Sequence, residues 1–186
     1  MKHIRRCVIG TGADGQSYTQ FDDYAPVGMV LGKTGANGPL WVTKEMPVRN
    51  AGDDDRALGP FHPMPGPHGT VFSFLMFPPE SEMDQETLAK TSRALGAGEH
   101  GAGAAYHLRQ PGMKKPWLPG MHRTKTLDYG VILEGEVWLL TDTDEVVLKA
   151  GDTFVCRGAN HTWRNRTDRR CVAVLVTIGA APLESA

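Results

Sequence analysis

The sequence lacks an excess of charge of either sign. Its 186 residues include 20 basic and 21 acidic side chains, so the formal net charge is −1 at neutral pH. Proteins that bind nucleic acid or an anionic membrane surface through electrostatics carry a strong basic excess. We therefore expect neither partner, and the near-neutral composition favours a small-molecule substrate.

Cysteines are few and long apolar runs are missing. Cys7, Cys156 and Cys171 are far apart and form no Cys-x-x-Cys pair, so we expect reduced thiols rather than a zinc ribbon or a disulfide framework. The longest apolar stretch, residues 171–181, is too short to cross a bilayer and is rich in valine, as a buried strand would be. The first ten residues have no secretory-signal pattern. The sequence thus predicts a cytoplasmic protein.

Helical periodicity is also scarce. The 22 glycines and 13 prolines separate short apolar runs, a pattern typical of strands joined by tight turns. One short helix is predicted over residues 81–96, because Ser81 can cap its start and Gly96 can end it. The glycine-rich residues 96–103 are predicted to form a flexible loop or lid, and the segment 59–69 has too many prolines for a helix.

Short strands are predicted at near-regular spacing, which favours an all-β barrel or a jelly-roll-like double sheet. They are expected near residues 4–9, 28–31, 40–45, 70–77, 106–109, 128–133, 136–141, 145–149, 153–157, 161–165 and 171–178.

The sequence GTGADG, from Gly10 to Gly15, fits the Gly-x-Gly-x-x-Gly pattern after a predicted strand. That pattern binds a dinucleotide only where a helix begins at the glycines and faces the pyrophosphate. The following residues have no helical period and include Pro26. We therefore predict a turn and no NAD site.

The residues that could bind a metal ion or take part in catalysis lie in the second half of the chain. His122 and Thr124 are two apart, so on a strand they point to one face. His161, Trp163 and Asn165 share a face in the same way. Turns are predicted at Gly135 and Gly151, between the strands that bring these side chains together.

This arrangement resembles the two motifs of the cupin superfamily over roughly residues 119–180. In the first motif, His-x-His is followed by an acid and then by glycine; in the second, glycine is followed by a Pro-x-Gly turn, histidine and asparagine. The matching positions are His122, Thr124, Asp128 and Gly135 for the first motif, and Gly151, Gly158, His161 and Asn165 for the second, with Cys156 in place of proline. The resemblance implies an all-β cupin-type barrel with one short helix and additional N-terminal strands.

The departures from the family pattern concern the metal ligands. A full cupin site has three histidines and a glutamate around Fe, Mn, Ni or Zn, whereas this chain has Thr124 and the shorter Asp128. His122, His161 and Asp128 could form a two-histidine, one-carboxylate set for a divalent transition metal. A metal-free pocket with a histidine base is the alternative. His107, on a preceding predicted strand, could supply a third imidazole.

The resemblance also implies a division of the chain and a range of activities. Residues 1–105 would form N-terminal strands, the helix and the glycine-rich loop, packed on a barrel core at 106–186. Independently of the resemblance, Tyr129 and Trp163 are predicted to be core or pocket wall. A small organic acid or an aromatic or polyketide-like compound would undergo lyase, decarboxylase, isomerase or dioxygenase chemistry at His122, Asp128 and His161. A ligand-binding module without turnover is the alternative. Cupins commonly pair through outer strands, so a homodimer is expected.

Overall fold

A computed structural model describes residues 4–83 and 120–181 of the chain. These residues form β-strands and one 3-10 turn, Glu80–Glu82. The strands are β1 Arg5–Thr11, β2 Ser17–Tyr24, β3 Met29–Leu31, β4 Gly35–Thr43, β5 Thr70–Phe77, β6 Thr126–Glu134, β7 Glu136–Thr141, β8 Glu145–Lys149, β9 Thr153–Arg157, β10 His161–Arg164 and β11 Cys171–Gly179. No helix within the described ranges is long and apolar enough to cross a membrane.

The strands build a large sheet, a small sheet and a ribbon. Six strands pair in the order β3-β4-β5-β11-β6-β9, three pair in the order β10-β7-β8, and β1 pairs with β2. All of these pairings are antiparallel. The all-β double-sheet prediction is confirmed. Strands from residues 1–105 lie in the same sheet as strands from residues 106–186, so the larger sheet crosses the predicted division.

Two strand predictions in the N-terminal third were wrong. Residues 17–24 form β2, one of the two strands of the ribbon. Sequence reasoning missed this strand because it is mostly polar and exposed, and so has no alternating apolar face. The segment 35–39 was read as a turn, but it begins β4, where Ala36 is fully buried. Pro39 fits in this strand because the register with β5 shifts between Pro39 and Trp41.

The motif from Gly10 to Gly15 ends β1 and turns into β2. The amide of Gly12 donates to the carbonyl of Gln16 at 2.9 Å, and the amide of Gly15 donates to the carbonyl of Gly12 at 2.9 Å. A hairpin, rather than a helix, follows the glycines, so the prediction of a turn is confirmed. The predicted helix beyond residue 83, the loop at 96–103 and the strand at 106–109 lie outside the described residues.

Apolar side chains pack on both faces of the six-stranded sheet. On one face, Phe74 and Met76 of β5 pack with Ala36 and Leu40 of β4, and with Ala25, which follows the ribbon. The other face packs against the three-stranded sheet. This second cluster consists of Phe77, Ile132, Val137, Leu148, Cys171 and Ala173. The functional side chains described below lie on the same face as the second cluster.

The proline-rich link at residues 59–69 closes one side of the space between the sheets. Pro63 is buried, and the amide of Gly179 at the end of β11 donates to the carbonyl of Gly69 at 3.0 Å. A Cβ atom added at Gly179 would lie 2.1 Å from the carbonyl oxygen of Gly66. Only a glycine therefore allows β11 and the link to approach so closely.

We expect Gly179→Ala to lower the free energy of unfolding by about 1–3 kcal/mol, because the backbone of the link must shift to admit the methyl group. Urea denaturation would measure the loss. Gly66→Ala is the matched control, since a Cβ atom there has no neighbour within 4 Å. Equal stability of the two variants would contradict this account of the close approach.

Candidate functional site

His122 and His161 are held side by side by their backbones. The amide of each donates to the carbonyl of the other, at 2.9 and 3.0 Å, which forms an isolated antiparallel bridge. His161 is the first residue of β10, and His122 precedes β6. The two ring centroids are 4.5 Å apart. The predicted pair, 39 residues apart in the numbering, is therefore adjacent in the fold.

Each imidazole is oriented by a carbonyl two residues before it. Nδ1 of His122 lies 2.8 Å from the carbonyl oxygen of Gly120, and Nδ1 of His161 lies 2.8 Å from that of Ala159. A carbonyl oxygen can only accept, so Nδ1 carries the proton in both rings. Nε2 of each neutral ring then keeps a lone pair, which can bind a metal ion or accept a proton.

Burial keeps both rings neutral. His122 is 6% exposed and His161 is 5% exposed. Desolvation, with a smaller contribution from the neighbouring His161, lowers the pKa of His122 to about 3. Desolvation also lowers the pKa of His161, while Asp128 partly opposes this shift.

Asp128 of β6 lies at the centre of a polar row on the inner face of the large sheet. Its register partners are Thr177 of β11 and Cys156 of β9. Burial raises the pKa of the Asp128 carboxyl above its usual value and raises the pKa of the Cys156 thiol. Sγ of Cys156 lies 3.6 Å from Nδ1 of His161, so the row reaches the histidine pair.

These groups line a cavity of about 60 Å³ between the two sheets, named here the inner cavity. Its polar lining residues are Asn37, Ser73, His122, Thr124, Asp128, Cys156, His161 and Thr177, and its apolar lining residues are Pro63, Met64, Leu75, Phe77, Phe154, Trp163 and Leu175. Three buried side-chain oxygens in the described ranges have no hydrogen-bond partner, and all three belong to this lining. They are Oδ1 of Asn37, Oδ1 of Asp128 and Oγ1 of Thr177.

A second space of about 100 Å³, the outer cavity, adjoins the inner one. His122, Phe77 and Trp163 line both cavities. Arg164 also lines the outer cavity, and its Nε lies 3.1 Å from Oε1 of Glu80. Burial lowers the pKa of Arg164, and Glu80 opposes that shift. The one arginine in the described lining of the outer cavity is thus already paired.

The sequence-predicted residues are only partly brought together. His122, Asp128, His161, Thr124 and Trp163 all line the inner cavity. Oγ1 of Thr124 accepts a hydrogen bond from Oγ1 of Thr126 at 2.7 Å, and the Trp163 ring meets the His161 ring at 88° with centroids 6.1 Å apart.

The prediction that Tyr129 lines the pocket was wrong. Tyr129 is 47% exposed on the outer face of β6, because successive side chains of a strand point to opposite faces and Asp128 points inward. His107 lies outside the described residues.

Sequence reasoning missed Asn37 and Thr177. Asn37 lay in the segment mistaken for a turn, so its inward orientation on β4 was not expected. Thr177 carried a usable signal, since it is a hydroxyl residue within the otherwise apolar run of β11 and is 1% exposed. A buried polar group in such a strand needs a partner, and the Thr177 side chain lies opposite Asp128 in the register and helps to lower the pKa of that carboxyl against the effect of burial.

A transition metal in a protein needs several unprotonated nitrogen, sulfur or oxygen ligands around one point. The two imidazoles fit, because Nε2 of each is unprotonated and Nδ1 is held by a backbone carbonyl. The described residues contain no group of three or more His, Cys, Asp or Glu side chains that could hold a metal ion. Asp128 therefore does not complete a three-ligand group with the two histidines in the described part of the chain.

The part of the chain that contains His122, Asp128 and His161 is similar to known proteins. Residues 109–177 match the family model of the cupin domain. The chain is 50% identical over 66 residues to the phomopsin biosynthesis cluster protein C' of Diaporthe leptostromiformis, a match that covers 34% of this chain and 35% of that protein. It is 44% identical over 48 residues to the cupin-domain-containing oxidoreductase virC of Hypocrea virens, covering 25% of each chain. The chain thus matches only about a third or less of these relatives' length.

Among solved structures, the chain matches the cupin domain of Cnp3 from Schizosaccharomyces pombe. The similarity covers 96% of this chain and 85% of that one, with 10% sequence identity and a TM-score of 0.42.

Proposed function

Because residues 109–177 match the family model of the cupin domain, we propose that this chain is a cupin enzyme that acts on a small oxygenated organic compound beside His122, Asp128 and His161. The observation that carries this proposal is the pairing of two neutral imidazoles, each with an unprotonated Nε2, with a buried carboxyl whose Oδ1 has no described partner. Catalytic groups are commonly buried polar groups with shifted pKa values around one cavity.

Nε2 atoms of His122 and His161 are proposed to hold a divalent transition metal, such as Fe, Mn, Zn or Ni. When bound, such an ion supplies Lewis acidity toward a carbonyl or enolate oxygen, or redox chemistry in the case of iron. His107 remains the predicted third imidazole. The carbonyls of Gly120 and Ala159 keep both rings in the tautomer that this role requires.

Asp128 is proposed to hold or move the proton. Its carboxyl has a raised pKa, which brings it closer to neutral pH, where a general acid or base is most effective. Phe154 and Trp163 supply apolar surface in the lining that this carboxyl shares. A carboxyl placed there can take a proton from carbon next to a polarised carbonyl, as lyase, decarboxylase and isomerase chemistry needs.

Oxidoreductase chemistry is a second candidate reaction. It is favoured by the name of the relative virC, a cupin-domain-containing oxidoreductase. A metal-free acid–base enzyme is the other alternative, favoured because the described residues contain no group of three metal-binding side chains. In that enzyme a neutral histidine would accept the proton at Nε2.

Elemental analysis of protein purified without a histidine tag tests the metal proposal. We expect about one equivalent of a transition metal per chain. Less than about a tenth of an equivalent, unrestored by soaking with metal salts, would refute metal dependence. Activity that survives EDTA but is lost in His122→Ala would then identify the metal-free enzyme, while oxygen consumption by iron-loaded protein would support the oxidoreductase.

We expect Thr124→His to raise affinity for Zn²⁺ at least about tenfold, because it adds an imidazole to a cavity that already holds two. Competition with a chromogenic chelator would measure the change. Arg123→His is the matched control, since that neighbouring side chain is exposed. An equal gain in both variants would indicate nonspecific binding and would argue against a metal site in the inner cavity.

A further inference from the structure

A groove beside the β1–β2 ribbon is larger than the two cavities next to the histidines. Its volume is about 580 Å³, against about 60 and 100 Å³ for the inner and outer cavities. We propose that this space, named here the ribbon groove, binds a small organic anion. The planar apolar body of the ligand lies on Trp41 and Phe72, and its charged group pairs with Arg56. This is a second site, and it does not depend on the proposed function.

The ribbon groove lies on the face of the six-stranded sheet opposite to the histidines. Its floor consists of Leu40, Trp41 and Phe72, one wall of residues 6–11 of β1, and the other wall of residues 49–52 and 56 in the connection between β4 and β5. Phe72 of β5 lines the groove, whereas the next residue, Ser73, lines the inner cavity. Successive side chains of a strand point to opposite faces, so β5 separates the two sites.

Hydrogen bonds join the two walls of the ribbon groove. Nε2 of Gln20 donates to the carbonyl of Gly52 at 3.2 Å, and the hydroxyl of Tyr18 donates to Asp53 at 3.0 Å. Gly10, the first glycine of the Gly-x-Gly-x-x-Gly sequence, leaves room for the Gln20 amide, since a Cβ atom there would lie 2.9 Å from Oε1 of Gln20. The groove is therefore bounded by a floor and two connected walls, and its volume falls in the range of about 300–1,000 Å³ that small ligands occupy.

The described lining of the ribbon groove is basic. It contains three arginines and no aspartate or glutamate. Arg6 pairs with Asp23 and Asp55, and Nε of Arg49 lies 3.3 Å from Oε1 of Glu45. These three acids neutralise two of the arginines from outside the lining. The charge that is left in the groove is that of the third arginine.

That third arginine, Arg56, makes no ion pair in the described part of the chain. Its Nη2 donates to the carbonyl of Arg49 at 3.0 Å, which fixes the guanidinium at the wall of the groove. A guanidinium has five N–H donors in a planar fork that matches a carboxylate or a phosphate. The donors that Arg56 does not use for the carbonyl are therefore available to an anionic group in the groove.

The floor of the ribbon groove adds aromatic surface beside this cation. Phe72 is 39% exposed, and Trp41 is half-buried, with its ring centroid 6.5 Å from that of Phe21. Exposed aromatic rings bind planar apolar groups by stacking and by burial of apolar area. A planar carboxylic acid or phosphate ester makes both contacts. A neutral aromatic compound loses the contact with Arg56, and a small inorganic anion loses the contact with the floor.

Four probes separate these contributions. 2-Naphthoate and 2-naphthyl phosphate have both features, 2-naphthamide is a neutral aromatic compound, and acetate is an anion without a ring. We expect the two naphthyl anions to bind at least about tenfold more tightly than 2-naphthamide or acetate. The indole N–H signal of Trp41 in NMR spectra, assigned by its loss in Trp41→Phe, would measure the affinities. Preference for the phosphate would identify a phosphate ester as the ligand, and preference for the carboxylate an organic acid; both uphold the inference.

The titrations use EDTA-treated protein, so that a metal ion at the histidines cannot bind the probes. Arg56→Gln keeps an amide that can donate to the carbonyl of Arg49, and we expect it to weaken 2-naphthoate binding at least about tenfold. Phe72→Thr should weaken it about fivefold. Arg157→Gln is the matched control, because it removes the same charge from an exposed side chain outside the lining, and it should bind normally. All three variants should melt within about 4 °C of the wild type.

The inference is overturned if 2-naphthamide binds as tightly as 2-naphthoate, or if Arg56→Gln and Arg157→Gln bind 2-naphthoate equally well. Shifts of the Trp163 signal without shifts of the Trp41 signal would also overturn it, since the probe would then occupy the cavities beside the histidines. Sedimentation analysis supplies one more outcome. A dimer that dissociates in Phe72→Thr would show that a second copy of the chain covers the groove, which would overturn the proposal of a small ligand.

Discussion

Replacing His161 by alanine is expected to lower the transition-metal content to less than about a tenth of the wild-type value and to lower turnover at least about 100-fold. The reason is that the imidazole contributes one of the two unprotonated Nε2 atoms beside the inner cavity. The backbone bridge to His122 does not use the side chain, so the strand pairing should persist. Elemental analysis and steady-state kinetics on the same preparation would measure both losses.

His62→Ala provides the control for this variant. Nδ1 of His62 also lies near a carbonyl two residues away, that of Met64 at 2.9 Å, but its side chain is exposed in the proline-rich link. Metal content and turnover should stay at wild-type levels. If His161→Ala keeps its metal and its activity, the site has been placed in the wrong part of the fold.

Replacing Arg6 by methionine is expected to lower the free energy of unfolding by about 3 kcal/mol. The Arg6 side chain is 4% exposed and pairs with one carboxylate inside the ribbon, Asp23, and one outside it, Asp55. Its Nε donates to Asp23 at 2.7 Å, and both Nη atoms donate to Asp55, whose side chain is 10% exposed. Methionine keeps the apolar stem but leaves Asp55 without its cation. The expected loss is at the low end for a buried pair, since Asp23 is half exposed.

Arg5→Met is the matched control one residue away. Arg5 makes the same two-bond contact with Asp22, at 2.7 and 2.8 Å, but the two side chains are 68% and 45% exposed. Exposed ion pairs contribute little because water and salt screen them, so this variant should unfold at the wild-type urea concentration. Equal destabilisation in both variants would show that burial does not govern these pairs.

The difference between wild type and Arg6→Met should also depend on pH. Hydrogen bonds from Arg6 hold the pKa of Asp55 below its usual value. A carboxyl whose pKa is lowered by folding stabilises the protein above its unfolded-state pKa, about 3.9, and loses that contribution as the pH falls through the folded-state value. Urea titrations should therefore give a constant difference above about pH 4 and a smaller one in more acidic solution.

Local patterns were sufficient for most strands of the second half. Alternating apolar residues and short turns predicted β7, β8 and β9 at their observed bounds. Asp128 was predicted beside the histidines because its spacing from His122 matches the first cupin motif, and it lines the inner cavity. The alternation of side chains along a strand would have placed Tyr129 on the face opposite to Asp128, whereas Tyr129 was predicted to be core or pocket wall.

The pairing register of strands far apart in the sequence decided which other side chains line the inner cavity. Asn37, Asp128 and Thr177 are far apart in sequence, and they converge because β4, β6 and β11 take fixed positions in one sheet. A shift of one residue in any of these strands would turn its side chain to the opposite face. Spacing along the chain therefore determined which residues could form a histidine–carboxyl site. Only the pairing of distant strands determined which buried oxygens surround it, because that pairing depends on packing across the whole double sheet.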